Sequence, residues 1–322
     1  MNSKEVAKKV VDRICELISE GQPLPWVKPW NRSTPSIKVI DGKKVVTLPP
    51  TAWSRSGKFY RGANTYLPIG EYITWNQCHA EGGKLRKGAK GFPVVYWNFT
   101  KHTELDPESG EMVTKTVPFL KYYTVFRIED CEGLEQKHHP DPETYVTELY
   151  HYEPSGEKGE LIPEAEAVVA DYISRAGNGF KVYRDEVSDR AYYRPSADYV
   201  KVPCREQFPL VGEFYSTLFH ELAHSTGHAT RLNRFTGKAA NASFGSEEYS
   251  REELVAESTA ASLLNALGLE EANTFRNSAA YIQSWSLAIK NDPLMYVTAA
   301  TRAQAAFEYI LGVKSEDSSE RV

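Results

Sequence analysis

The run His220-Glu221-Leu222-Ala223-His224 constrains this chain more than any other feature. A spacing of four puts two imidazoles on one face of a helix, one turn apart, where both reach a single tetrahedral divalent ion. The glutamate beside the first histidine then lies where a general base for the ion's water is needed. The flanks suit a helix: Phe214, Leu218, Leu222 and Ala223 give it an apolar back, and Gly227 stops it. The pattern fixes only three positions, so a chance match on an amphipathic helix is the competing reading. The helical context and a second, acidic helix downstream favour the metal. Imidazole and carboxylate donors suit Zn²⁺, with Mn²⁺, Co²⁺ or Ni²⁺ as substitutes in preparation.

A catalytic ion needs a third protein ligand and an open fourth position. The extended form HExxHxxGxxH would use position 230; Gly227 fits that form, but residue 230 is Thr. The segment SREELVAESTAASLLNALG (250–268) reads instead as a helix carrying Glu252, Glu253 and Glu257. Glu253 and Glu257 are four apart and share a face, so Glu253 is the expected ligand and Glu257 the group that orients a ligand imidazole. Glu257 and His228, just past Gly227, stay open as alternative ligands, and Glu252 reads as solvated helix surface. Peptide hydrolysis also needs an oxyanion stabiliser, for which His228 and Tyr281 are candidates; a helical tyrosine is more often core.

The chain has 322 residues, enough for two domains, and its charge is divided between them. Residues 1–100 hold 16 Lys and Arg against seven Asp and Glu, while the remainder holds 22 against 36. Five of six tryptophans (Trp26, Trp30, Trp53, Trp75, Trp97) lie in that basic first stretch, which suits a polyanionic partner. Mean hydropathy is −0.48 and no run of ~18 apolar residues occurs, so no membrane span is expected. The N-terminus is charged throughout and does not read as a secretory signal. Cys15, Cys78, Cys131 and Cys204 are scattered without a CxxC, which fits a reducing, cytoplasmic setting and excludes a cysteine-built zinc site.

Periodicity predicts a helix from a Ser3 cap through Val6, Val10, Ile14, Leu17 and Ile18, closed by Gly21. It predicts a hairpin at 37–47 around Asp41-Gly42, a short helix from Glu71 to Ala80, and strands over Phe92–Phe99 and Phe119–Arg127 joined by a turn at Pro107 to Gly110. Residues 131–162 lose periodicity and read as a linker between units 1–130 and 163–322. The second unit reads as a helix from Pro163, strands near 180–184, 192–193 and 199–202, then helices at 209–226, 250–267, 277–290 and 293–311. A few strands followed by helices make the class α+β.

Between Trp53 and Trp97, Arg55, Lys58, Arg61, Lys84, Arg86, Lys87 and Lys90 alternate with Tyr60, Trp75 and other rings. Single-stranded nucleic acid is bound by that mixture, cations following phosphates and exposed rings stacking on bases. The competing reading is that most of these rings are core.

The pieces WVKPWN, SGKFYRGANTYL, YITWNQ, GGKLRKGAKGFPVVYW and YYTVFRIEDCEGL resemble the N-terminal single-stranded-DNA-binding domain of ArdC-type antirestriction proteins, a domain also found at the N-terminus of TraC-type primases. SADYVKVP, FYSTLFHELAHSTGHATRLNR, SREELVAESTAASLL and the Tyr281–Gly312 tail resemble that family's zincin-like C-terminal domain. The resemblance implies single-stranded DNA binding, a metallopeptidase-like domain, and protection of incoming plasmid or conjugative-element DNA from host restriction. Two other functions stand beside it. One is a DNA-associated zinc peptidase that cuts a restriction component or another DNA-bound protein. The other is a zinc domain used only for interaction.

Overall fold

The computed structural model describes residues 2–19, 36–48, 52–105, 112–138, 143–148, 161–177, 179–208, 210–235, 247–269 and 289–313. Helix α1 (Ser3–Ser19) opens the chain. Its cap is Asn2, not Ser3: Glu5 N–H donates to Asn2 Oδ1 and Asn2 N–H to Glu5 Oε2, at 2.9 and 2.8 Å. This reciprocal pair satisfies two otherwise orphaned donors. Ser3 Oγ instead accepts from Leu120 N–H, tying α1 to the sheet beneath it.

Strands β1 (Ser36–Ile40) and β2 (Lys43–Leu48) form the expected hairpin. Asp41 and Gly42 both have positive φ (50° and 71°), as a two-residue turn matched to strand twist requires. A four-stranded sheet follows, in the order β3 (Ala52–Ser54), β4 (Gly70–Thr74), β7 (Met112–Arg127), β6 (Phe92–Leu105). Helix α2 (Trp75–Ala80) is shorter than expected because 70–74 is strand; Thr74 and Gln77 form a capping box that marks the switch. Strands β5 (Lys84–Leu85) and β8 (Cys131–Glu132) pair beside it.

The expected linker contains β9 (Glu143–Glu148), which pairs with β2 and completes a three-stranded sheet β1-β2-β9. The second unit then runs α3 (Pro163–Ala176), β10 (Lys181–Tyr183), β11 (Tyr192–Arg194), β12 (Tyr199–Lys201), α4 (Val211–Ser225), α5 (Glu247–Ala266) and α6 (Pro293–Leu311). Its small sheet is ordered β10-β12-β11. The expected turn at 107–110 and helix at 277–290, except its last residues, lie outside the described residues.

The two cores exchange elements. Ile37 and Val46, on one face of the N-terminal hairpin, pack with Val168, Tyr172, Phe214, Leu218 and Leu263 of the second unit. In return Tyr296 and Val297 of α6 pack with Val10, Ile14, Tyr72 and Val95 of the first. Helix α6 is apolar nearly all round because its first half serves one core and its second half, with Phe307, Ile310 and Leu311, serves the other.

A buried cation fastens this exchange. Lys44 on β2 is fully buried; its Nζ donates to Asp171 Oδ2 at 2.5 Å and to Leu311 O at 2.7 Å. Arg175 also meets Asp171 and donates to Tyr309 O and Ile310 O, so cations satisfy the open carbonyls at the end of α6. Asp171→Ala leaves the Lys44 charge buried and unpaired, an expected loss of about 3–5 kcal/mol. Urea denaturation measures it; a loss under about 1 kcal/mol would mean that water reaches Lys44 and the contact is no fastening.

Candidate metal centre

Helix α4 presents His220 and His224 outward because Phe214, Leu218, Leu222 and Ala223 are fully buried on its back. Helix α5 packs across it and delivers Glu253. His220 Nε2 and His224 Nε2 are 3.1 Å apart, and each lies 3.4 Å from a Glu253 carboxylate oxygen. For ligands ~2.0–2.1 Å from a tetrahedral ion, the ligand–ligand edge is ~3.3 Å. His220 meets one Glu253 oxygen and His224 the other; taking one donor atom from each residue, the three lie within 4.8 Å of one another, a convergence that would suit one small divalent ion. Among the described residues this is the one group of three or more such donors close enough to share an ion.

The surroundings set the charge of these groups. Burial pushes the His224 imidazolium down, but Glu252 and Glu253 override it and raise its pKa to about 10. Burial likewise pushes Glu253 up, and the hydrogen bonds from His220 and His224 win, holding it well below the carboxylate range. Glu221 is 7% exposed; burial raises its carboxyl above the usual range, against the two histidines and the Tyr193 backbone N–H.

Glu252 was expected on a solvated face and is instead largely buried beside the site. Its Oε1 lies 3.5 Å from His224 Nδ1, and Arg234 donates to both of its oxygens, at 2.6 and 3.1 Å. Arg234 also donates to Ala223 O and Thr226 Oγ1 at the end of α4, so Glu252 is fixed to the helix that carries the histidines. A carboxylate on Nδ1 holds the imidazole tautomer that leaves Nε2 free for a metal. Glu257 is farther, 4.0 Å from His220 Nδ1. His228 turns away from the donors: its Nδ1 lies 2.9 Å from Thr230 Oγ1 and 4.0 Å from Asp198. Asp198 in turn takes Arg231 and the Tyr193 hydroxyl, which braces the loop after α4 against β11. Tyr281 lies outside the described residues.

Residues 171–302 match the family model for a zincin-like metallopeptidase, and residues 4–126 that for the N-terminal domain of anti-restriction factor ArdC. The metal-free crystal structure of antirestriction protein ArdC from plasmid R388 is 30% identical, with a TM-score of 0.56, over 96% of this chain and 99% of that one. The chain belongs to the ArdC family of antirestriction proteins. A second ArdC structure from that plasmid, with Mn(II) bound, matches at 29% identity and TM-score 0.56 over 95% of this chain and 97% of that one. The DNA primase TraC of Escherichia coli is 30% identical over 99% of this chain, but the chain spans only 28% of the primase's length. A zincin-like domain in this family implies a divalent metal; the Mn(II) form leaves its identity open between zinc and manganese. Among the described residues no helix is long and apolar enough to cross a membrane.

Within the ArdC-type N-terminal domain, the candidate DNA contacts separate by burial. Arg55 is buried, its guanidinium spent on Glu71 at 2.6 Å, Glu81 at 2.7 Å and Glu135 O at 2.8 Å. Tyr60 is buried edge-on against Tyr72. Neither offers a surface to nucleic acid in this structure, because folding has already used its polar group or its ring. Arg61 is half-buried and paired with Glu308 of α6 at 2.8 Å. Lys58, Lys84, Arg86, Lys87 and Lys90 are exposed, and Trp75 is 56% exposed, stacked on His79. Tyr96, Phe99 and Tyr123 are also exposed on the β6–β7 pair. Tyr96 and Phe99 are three apart on one strand and so lie on opposite faces, which is why no period-2 pattern marks them in the sequence.

Proposed function

We propose that this is a single-stranded-DNA-binding antirestriction protein of a mobile element, acting in the cytoplasm, whose second unit is a metal-dependent peptidase. The observation that carries the peptidase is the convergence of His220, His224 and Glu253 with Glu221 alongside. Zn²⁺ suits two imidazoles and a carboxylate best. When bound, the ion supplies Lewis acidity and brings a water's pKa near neutrality. Glu221 takes the proton of the attacking water and hands it to the leaving amine; its raised pKa suits that exchange. Glu252 and Glu257 orient His224 and His220. A purely structural site has no use for Glu221, and that speaks against a domain kept only for interaction. Candidate peptide substrates are a host restriction component or another DNA-bound protein.

DNA binding is supported by the exposed cations of the turn between β5 and β6 and by the exposed rings nearby. Unpaired bases offer faces to those rings, whereas duplex bases are stacked already. Replacing Lys84, Arg86, Lys87 and Lys90 with alanine is expected to weaken single-strand binding. The slope of log affinity against log salt should fall by up to about 3, at roughly 0.7 per phosphate contact. Fluorescence anisotropy over a salt series measures both. An unchanged slope would remove the turn from the interface, and equal affinity of the parent protein for single strand and duplex would overturn the single-strand reading.

A further inference from the structure

A cleft of about 170 Å³ opens where the edge of β6 meets the helical turn Gly62–Tyr66 and α6. Its size is that of a single ring system: a ~150 Å³ cavity accepts benzene. We infer that this cleft is a nucleobase pocket, in which one base of a bound single strand sits at the β6 edge against a wall supplied by the second unit. The inference rests on the single-strand reading above and assigns it a subsite.

Strand β6 is the edge of its sheet. At Val95 the edge is closed by one side chain: Asn64 Nδ2 donates to Val95 O at 2.8 Å, and Val95 N–H donates to Asn64 Oδ1 at 2.9 Å. A planar carboxamide there stands in for a neighbouring strand. Two residues on, the strand repeat turns the Trp97 N–H and C=O to the same side. Trp97 is paired with Leu120, whose own N–H goes away from it to Ser3 Oγ, so this is a non-hydrogen-bonded pair and Trp97's main chain faces the cleft. The cleft therefore holds a second slot with one donor and one acceptor, next to the slot Asn64 fills.

A ligand for that slot needs a flat edge with an adjacent donor and acceptor, like a carboxamide, and flat apolar faces. Nucleobases have both. Tyr96 and Trp97 are among the residues that line the cleft; as strand neighbours they turn their side chains to opposite faces, and Tyr96 is 44% exposed. Thr301 and Gln304 of α6 form the polar far wall. Phe92, just after the basic turn, is five residues before Trp97 on the same strand, about 17 Å. A strand held by its phosphates at Lys84–Lys90 can thus reach the cleft within a few nucleotides. An extended peptide pairing with the edge is the other occupant to test; a cleft closed on the far side by α6, beside a cationic turn, favours the base.

The test uses the full-length protein and a fluorescein-labelled oligothymidylate containing 5-iodouracil. Photocrosslinks in the parent protein are expected at Tyr96 or Trp97; crosslinks confined to other segments overturn the pocket. Gln304→Trp fills the cleft from the α6 side and Tyr96→Ala removes a ring. Each should weaken binding roughly 5- to 150-fold, the value of one base stack, with the salt slope unchanged. That unchanged slope separates the pocket from the phosphate-binding turn. If the parent protein binds the oligonucleotide and these variants bind it equally well, the pocket is wrong and the single-strand reading stands. If the parent protein does not bind it, both fall. Displacement by an unrelated extended peptide, with no crosslink in β6, would assign the edge to protein and overturn the base assignment.

Discussion

Protein carrying His220→Ala and His224→Ala is expected to lose its divalent ion, from about one equivalent to near none after dialysis against metal-free buffer. The double substitution removes two of the three converging donors, and one remaining carboxylate does not hold Zn²⁺ against water. Elemental analysis reads the outcome, and unchanged stoichiometry would place the ion elsewhere. The protonation of the free site adds a pH signature. With its pKa at about 10, His224 carries a proton at pH 7 that metal must displace. Binding at pH 7 therefore releases close to one proton from this residue, and apparent affinity climbs with pH until about 10. In the metal-free protein the same raised value stabilises the fold fully below the ordinary imidazole value of 6.5; that contribution fades as pH rises through about 10. Titration in buffers of different ionisation heat measures the release; none at pH 7 would show that Glu252 and Glu253 do not hold His224 charged.

The convergence of His220 and His224, with Glu221 alongside, was legible because the three sit within one helical turn, where spacing alone fixes geometry. Glu253 followed from the next helix by the same rule. Glu252 was not legible: neighbours on a helix point about 100° apart, so an adjacent pair looks like one inward and one outward residue. His224 defeats that rule by offering two nitrogens on opposite sides of one ring, and Arg234 supplies the second reason for Glu252 to be buried. The hairpin turn was legible from Asp41-Gly42, yet nothing local says that the hairpin packs on the second unit's helices. That contact depends on Lys44 meeting Asp171, 127 residues later. Charge counting failed for Arg55 for a related reason. Two of the few acids in the first hundred residues, buried Glu71 and exposed Glu81, both bind that one guanidinium. Net charge says how many cations a segment holds, not which of them folding leaves exposed.

Glu221→Gln is expected to lower any peptidase activity roughly 10²- to 10⁴-fold, the contribution of general-base catalysis, while metal content stays at one equivalent. Glutamine keeps the shape and loses the ability to take the water's proton, and Glu221 is not among the three converging donors. Its carboxylate is buried at 7% exposure in the second unit, remote in sequence from the Lys84–Lys90 turn, so single-strand affinity should hold within about twofold, or ~0.4 kcal/mol. Peptide turnover, elemental analysis and anisotropy on one preparation separate these readings. The two units nevertheless share α6 and a traded hairpin, so a substitution that unfolds α4 would disturb both activities; an unchanged melting temperature guards against that. Protection of DNA in cells then decides what the peptidase is for. If protection survives in Glu221→Gln, coating of the strand carries it and proteolysis is a separate activity. If protection is lost while metal and DNA binding persist, cleavage of a restriction component or another DNA-bound protein is the working step. Loss of DNA affinity itself, in folded protein, would mean that the coupling through α6 reaches the histidine helix, and the division of labour between the two units would have to be abandoned.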